Sequence, residues 1–246
     1  MMSLTSSSTK YSTGKVSCVL PTYNRPEFLK TTLRSLKEQT YKNLEIIVVD
    51  DGSEQNVQSL CDGECDKFIR LKENSGSVSI PRAVGITHAT GEYIAHIDDD
   101  IWMSPTKIET LVSALESSPA KLCYGNMSIF KQGVQTGQSR VSNWNPTLPQ
   151  GWGVDGSQFI YRADVYERVP LIFCRRGCDW NTAKSIREHF DIDFVHVDEE
   201  VSRYFWHDSN RSLREETKTL AIHPKKFEQY FLNPKNRFKI NYEAVS

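Results

Sequence analysis

Ile46-Ile47-Val48-Val49 is a run of four β-branched residues with no polar member. Such a run suits a strand, and a strand without a polar side must be covered on both faces. That requirement points to a parallel sheet clad in helices. The flanking residues keep the same rhythm. Val16 to Leu20 reads as a short strand ended by Pro21. Asn24 is placed to cap a helix with Pro26 in its first turn, and Leu29, Leu33 and Leu36 follow at i, i+4 and i+7. Phe68 to Leu71 is a weaker strand. Ile80, Ala83 and Val84 suggest a helix that starts near Pro81 and ends at Gly91, before a strand over Tyr93 to Ile97. Ser104 and Pro105 open a further helix whose apolar face is Ile108, Leu111, Val112 and Leu115. Strand-helix alternation of this kind predicts right-handed crossovers, with ligands gathered at the carboxyl ends of the strands.

The rhythm breaks near residue 130. Lys131 to Ser157 is rich in Gly, Pro, Asn, Ser and Gln around Trp144 and Trp152, and reads as a functional loop or lid. A helix is expected from about Trp180 to Phe190, then strands over Val195 to Val197 and Val201 to Trp206. With 30 basic and 31 acidic residues the chain has no bulk attraction for nucleic acid. It contains no apolar run long enough to span a bilayer, and residues 1–14 read as a disordered lead-in without the apolar core of a secretory signal, so a cytoplasmic setting is expected. The cysteine pairs Cys61/Cys65 and Cys174/Cys178 are each four apart. Free thiols are favoured over a zinc site, because the spacing and flanks of a zinc ribbon are missing.

Chemistry is suggested where strands end in acids. Ile46 to Val49 runs into Asp50-Asp51-Gly52-Ser53, and Tyr93 to Ile97 runs into Asp98-Asp99-Asp100. At one sheet edge these carboxylates would meet, and two like charges 4 Å apart repel by ~4 kcal/mol at an effective dielectric near 20. A positive partner is therefore expected among them, and a hard divalent cation suits oxygen ligands. Each stretch also has a plain reading, as a turn or a helix cap.

The wording of these blocks resembles the family 2 glycosyltransferases of the GT-A fold. The resemblance rests on Cys18-Val19-Leu20-Pro21-Thr22-Tyr23-Asn24-Arg25, Leu36 to Tyr41, Glu45 to Ser53, Asn74 to Arg82 and Gly91 to Asp100. It implies a three-layer α/β/α sandwich with a mostly parallel sheet, and a nucleotide-sugar donor site, typically for uridine nucleotides. By that resemblance Pro21, Thr22, Tyr23 and Arg25 border the base, Asp50 pairs with it, and Arg82 lies near the nucleotide. Asp98 and Asp100 form the D-x-D motif that holds ribose and Mn²⁺ or Mg²⁺, and Asp99 between them counts with the donor residues. Ala83 departs from the Asn common after the arginine.

The acceptor half is the less marked. Asp179, in Gly177-Cys178-Asp179-Trp180, resembles the family's catalytic base, which implies inversion; its alternatives are a helix-cap role, or Asp155 as base. Asp155 and Trp152 are candidates for acceptor binding, and His207 resembles a late metal ligand. The expected layout is one domain over residues 15–222, with a donor half at 15–130, an acceptor half at 131–222 and a tail at 223–246. The acceptor is expected to be a glycan or a lipid-linked molecule, and the basic, aromatic tail is a candidate for membrane contact against a plainer reading as a packed helix. A sugar nucleotidyltransferase would need a Gly-rich phosphate loop, and Pro21-Thr22-Tyr23-Asn24 has no glycine. A glycan-binding protein without turnover is the third reading.

Overall fold

The structure, a computed structural model, describes residues 11–131, 133–140, 154–173, 177–206, 220–222 and 242–245. The expected alternation of strand and helix is present, with one further short strand, β5: β1 (Ser12–Thr22), α1 (Pro26–Lys37), β2 (Leu44–Asp50), β3 (Lys67–Leu71), α2 (Ser79–His88), β4 (Gly91–His96), β5 (Ile101–Met103) and α3 (Lys107–Glu116). Then follow β6 (Leu122–Lys131), β7 (Val134–Arg140), β8 (Phe159–Arg162), β9 (Leu171–Phe173), α4 (Cys178–Phe190), β10 (Val195–Trp206), β11 (Leu220–Ile222) and β12 (Tyr242–Val245).

Ten strands form one sheet in the order β12-β3-β2-β1-β4-β8-β6-β10-β5, with β7 on β6. The block β3-β2-β1-β4 is parallel, whereas β8 runs antiparallel to both β4 and β6. The β2 run behaves as its composition requires. Ile47 and Val49 enter a core with Ile80, Ala83 and Val84 of α2 and Ile186 of α4. Ile46 and Val48 enter a second core with Leu29, Leu33 and Leu36 of α1 and Leu111 and Leu115 of α3. The sheet is thus the middle layer of three.

Four local expectations are corrected. Asn24 does not cap α1; the cap position is Arg25, and Asn24, at φ +53°, accepts from the Glu54 amide at 2.8 Å and ties two loops together. Ser104 lies before the cap of α3, which is Thr106. The stretch 131–157 is not loop throughout, because Val134–Arg140 pairs antiparallel with β6. Val195 to Trp206 is one strand whose pairing with β6 shifts register around Glu200, so the polar Asp198-Glu199-Glu200 segment looked like a break. In the tail, Tyr242–Val245 pairs antiparallel with β3; residues 223–241, which carry its basic and most of its aromatic positions, lie outside the described residues.

Candidate active site

Both acidic stretches reach the same edge of the sheet. Thr22, the last residue of β1, stands in register with Asp50, the last of β2. The Ile97 amide donates to the Val19 carbonyl at 3.0 Å, so residues 98–100 leave β4 beside the end of β1. The loop Pro21–Arg25 lies between them.

The positive partner that the acids require is arginine. Arg25 Nη1 lies 3.0 Å from Asp99 Oδ1 and 2.7 Å from Asp100 Oδ2. Thr22 Oγ1 donates to Asp99 Oδ2 at 3.0 Å. Arg82 is 4% exposed; it holds Asp98 Oδ1 through Nη2 and Asp179 Oδ1 through Nη1, each at 2.5 Å. Asp50 is fully buried, with Oδ1 accepting from the Ser53 amide and hydroxyl and Oδ2 3.1 Å from Arg70. Among the described residues no three His, Cys, Asp or Glu side chains group as a metal cage, and guanidinium groups stand among the acids.

The Asp98 side chain is fixed from the other half of the sheet. Ser157 Oγ donates to Asp98 Oδ2 at 3.0 Å. Ser157 belongs to a 3-10 turn, Gly156–Gln158, capped by Asp155 Oδ1, which accepts from the Ser157 amide at 3.0 Å. The fully buried Lys107 donates to the Ser157 carbonyl at 2.7 Å. Burial, only partly offset by Cys18, Asp98 and Asp155, pulls the Lys107 ammonium down to about 8. Gly156 is required here, since a Cβ at this position would overlap Asp179 Oδ1.

Asp179 lies in the first turn of α4, past the cap residue Gly177, and makes no capping bond. It points instead at Arg82. Burial works to raise its pKa, but the Arg82 charge and the nearby His96 outweigh that and hold it at about 2. Asp99 responds in the opposite sense. Burial dominates over Arg25 and lifts it to about 6.

Of the residues expected at the site, Thr22, Arg25, Asp50, Arg82, Asp98, Asp99, Asp100 and Asp179 lie at one edge of the sheet. Pro21 is buried and Tyr23 half-buried in the same loop. Asp155 is engaged as the turn cap. Trp152 and His207 lie outside the described residues, as does Trp144. Missed were Arg70, Lys107, Ser157 and His96. Of these only His96 had a visible signal, as a polar residue inside an apolar strand.

The model of the family described as Glycosyl transferase family 2 matches residues 17–170, more than half of the chain. Glycosyltransferase GlyG of Streptococcus pneumoniae serotype 4 is 36% identical over 115 residues, 45% of this chain and 38% of that protein. Poly(ribitol-phosphate) beta-N-acetylglucosaminyltransferase TarP of Staphylococcus aureus is 32% identical over 125 residues, 48% of this chain and 38% of that protein. The chain thus spans less than two fifths of the length of either relative. Among solved structures, S. aureus TarS 1-349 in complex with UDP-GlcNAc superposes with a TM-score of 0.64 at 19% identity, covering 80% of this chain and 60% of that one. Mannosyltransferase PcManGT from Pyrobaculum calidifontis, in complex with GDP-Man and Mn²⁺, gives 0.56 at 19% identity, covering 76% and 56%. At that identity the likeness shows the fold, which is of GT-A type.

Proposed function

The chain belongs to glycosyl transferase family 2, and from that premise we propose that it moves a sugar from a nucleotide-diphosphate donor, uridine-linked, to a hydroxyl of a glycan or lipid-linked acceptor, with inversion. The carrying observation is Arg82. One buried guanidinium joins Asp98, on the donor side, to Asp179, on the acceptor side.

Asp50 and the loop Pro21–Arg25 are the base-binding wall in this reading. Asp98 and Asp100 are hard oxygen donors at the end of β4, and their side chains are 24% and 10% exposed. That fits Mg²⁺ or Mn²⁺ in nucleotide sites, where one or two carboxylates act with phosphate oxygens and water, so a third acid is not needed. A bound ion would supply charge neutralisation to the leaving diphosphate.

Asp179 is the proton acceptor. A carboxylate at about 2 is a poor base near neutral pH. Its basicity rises if Arg82 turns toward the donor diphosphate, which offers the guanidinium a more highly charged partner. The acceptor hydroxyl then gives its proton to Asp179, its oxygen bonds to the anomeric carbon, and the bond from that carbon to the diphosphate oxygen breaks. Direct displacement inverts the anomeric centre. Family membership leaves the nucleotidyltransferase reading without support.

The test is release of nucleoside diphosphate from UDP-glucose, UDP-N-acetylglucosamine and GDP-mannose with Mn²⁺. Asp179→Asn is expected to bind the donor as the parent does and to lose about 10²- to 10⁴-fold in turnover. An Asp179→Asn variant with parental turnover sinks the base assignment, and a parent silent on every donor favours binding without catalysis.

A further inference from the structure

His96 interrupts an otherwise apolar strand, is 3% exposed, and has no part in the reaction proposed above. Its Nε2 lies 2.8 Å from the Tyr161 hydroxyl, which lies 2.8 Å from the Tyr166 hydroxyl. Its Nδ1 has no hydrogen-bond partner among the described residues and faces Asp179 Oδ1 at 3.9 Å. An unpaired buried polar atom costs about 1–3 kcal/mol, so the surroundings select which ring nitrogen carries the proton. An ionised carboxylate only accepts. A bare Nδ1 aimed at Asp179 would set lone pair against lone pair, whereas an Nδ1–H is attracted. With the proton on Nδ1, Nε2 accepts from Tyr161, and the Tyr161 oxygen accepts from Tyr166. Every donor in the row Tyr166, Tyr161, His96 then points toward Asp179.

We propose that His96 is a positioning residue for Asp179, held by Tyr161 as the Nδ1–H tautomer and presenting that N–H to the carboxylate. The proposal rests on the reading of Asp179 as proton acceptor. In the present arrangement Arg82 grips Asp179 Oδ1 and His96 stands off. Once the guanidinium turns to the diphosphate, the imidazole N–H is the donor left to keep the carboxylate aimed. A neutral N–H lowers the basicity of the carboxylate less than the guanidinium charge does. A cavity of about 20 Å³ lined by Arg82, His96, Tyr166 and Cys178 adjoins them and gives these side chains room to close the gap.

Nitrogen-15 NMR of the full chain, labelled at its six histidines, reads the tautomer directly. One ring is expected with its proton on Nδ1 and a bare Nε2, and its signals vanish in His96→Phe. In Tyr161→Phe and in Asp179→Ala that ring shifts toward the Nε2–H form. A proton on Nε2 in the parent overturns the proposal, as does an Nδ1–H indifferent to Asp179→Ala.

Kinetics supply the second measurement. His96→Phe is expected to lower kcat for nucleotide-sugar turnover about 10- to 100-fold with donor KM unchanged. His96→Asn, whose amide nitrogen sits near the Nδ1 position, recovers most of that loss. Parental kcat in His96→Phe beside an inactive Asp179→Asn removes the role of His96 and leaves the base reading standing. An active Asp179→Asn removes the base reading itself.

Discussion

Three adjacent carboxylates leave β4, and their neighbours treat them differently. Asp98 is shared between Arg82 and Ser157, and Asp100 takes one nitrogen of Arg25. Asp99 is buried, and its partners Arg25 and Thr22 do not offset the loss of water, so it titrates at about 6 against an ordinary 3.8. The folded chain therefore binds more protons than the unfolded chain between these values. Stability from this group is highest below pH 3.8 and falls as pH rises to 6, by on the order of 3 kcal/mol. Asp99→Asn keeps an oxygen for Thr22 and Arg25 but removes the charge. Urea unfolding is expected to find this variant at least as stable as the parent at pH 7.5. It should also show a less negative dependence of stability on pH between 4 and 6. A variant weaker than the parent at pH 7.5, with an unchanged slope, would mean that the Arg25 ion pair outweighs burial.

At the scale of elements, α2 sets how closely the parallel block of the sheet is packed. It crosses β1 so tightly that a Cβ on Gly85 would overlap Val19 Cγ1, and Val19 is fully buried. Two effects oppose each other in Gly85→Ala. The helix gains about 1 kcal/mol of intrinsic propensity, and overpacking a fixed core costs about 1–3 kcal/mol. Because the obstructing atom is on a β-branched side chain in the central strand, the clash is expected to win. A midpoint in denaturant below the parent's, with the m-value preserved, would record it; a raised midpoint would mean that α2 lifts freely off the sheet. Because Arg82 is carried by the same helix, such a lift should also weaken its contacts with Asp98 and Asp179. The elements that sequence reading found are those with a local signature: β2 by its β-branched run, α1 by its leucine spacing, the acids by their place after apolar strands. Elements that depend on distant partners were not legible. Val134–Arg140, with Gln135, Gln138, Ser139 and Arg140, has the composition of a loop and is a strand because β6 offers it an edge. Arg70 and Lys107 carry no motif; they matter only because folding brings them to Asp50 and to the Ser157 carbonyl.

For the whole molecule the consequence of Arg82 is coupling between the two halves of the sheet. Asp98 follows β4, in the parallel block, and Asp179 opens α4, beyond the antiparallel strands. A ligand that draws the guanidinium away from Asp179 changes that carboxylate's affinity for a proton. By linkage, protonation of Asp179 changes the affinity for the ligand by the same factor. Binding at this edge should therefore stabilise the folded chain as a unit. At a concentration of 100 times Kd, UDP with Mn²⁺ adds about 2.7 kcal/mol by mass action. For a chain of this size each kcal/mol moves Tm by about 2–4 °C, so a rise of about 5–10 °C is expected. Asp100→Ala should fold with a Tm close to the parent's, because Asp100 lies at the strand end rather than in either core. It should lose most of the rise with UDP and Mn²⁺, as the parent does when the metal is chelated. Equal shifts in parent and variant would take the metal away from Asp100 while leaving nucleotide binding in place. No shift in the parent for UDP, with a shift for GDP, would keep the site and change the base it reads.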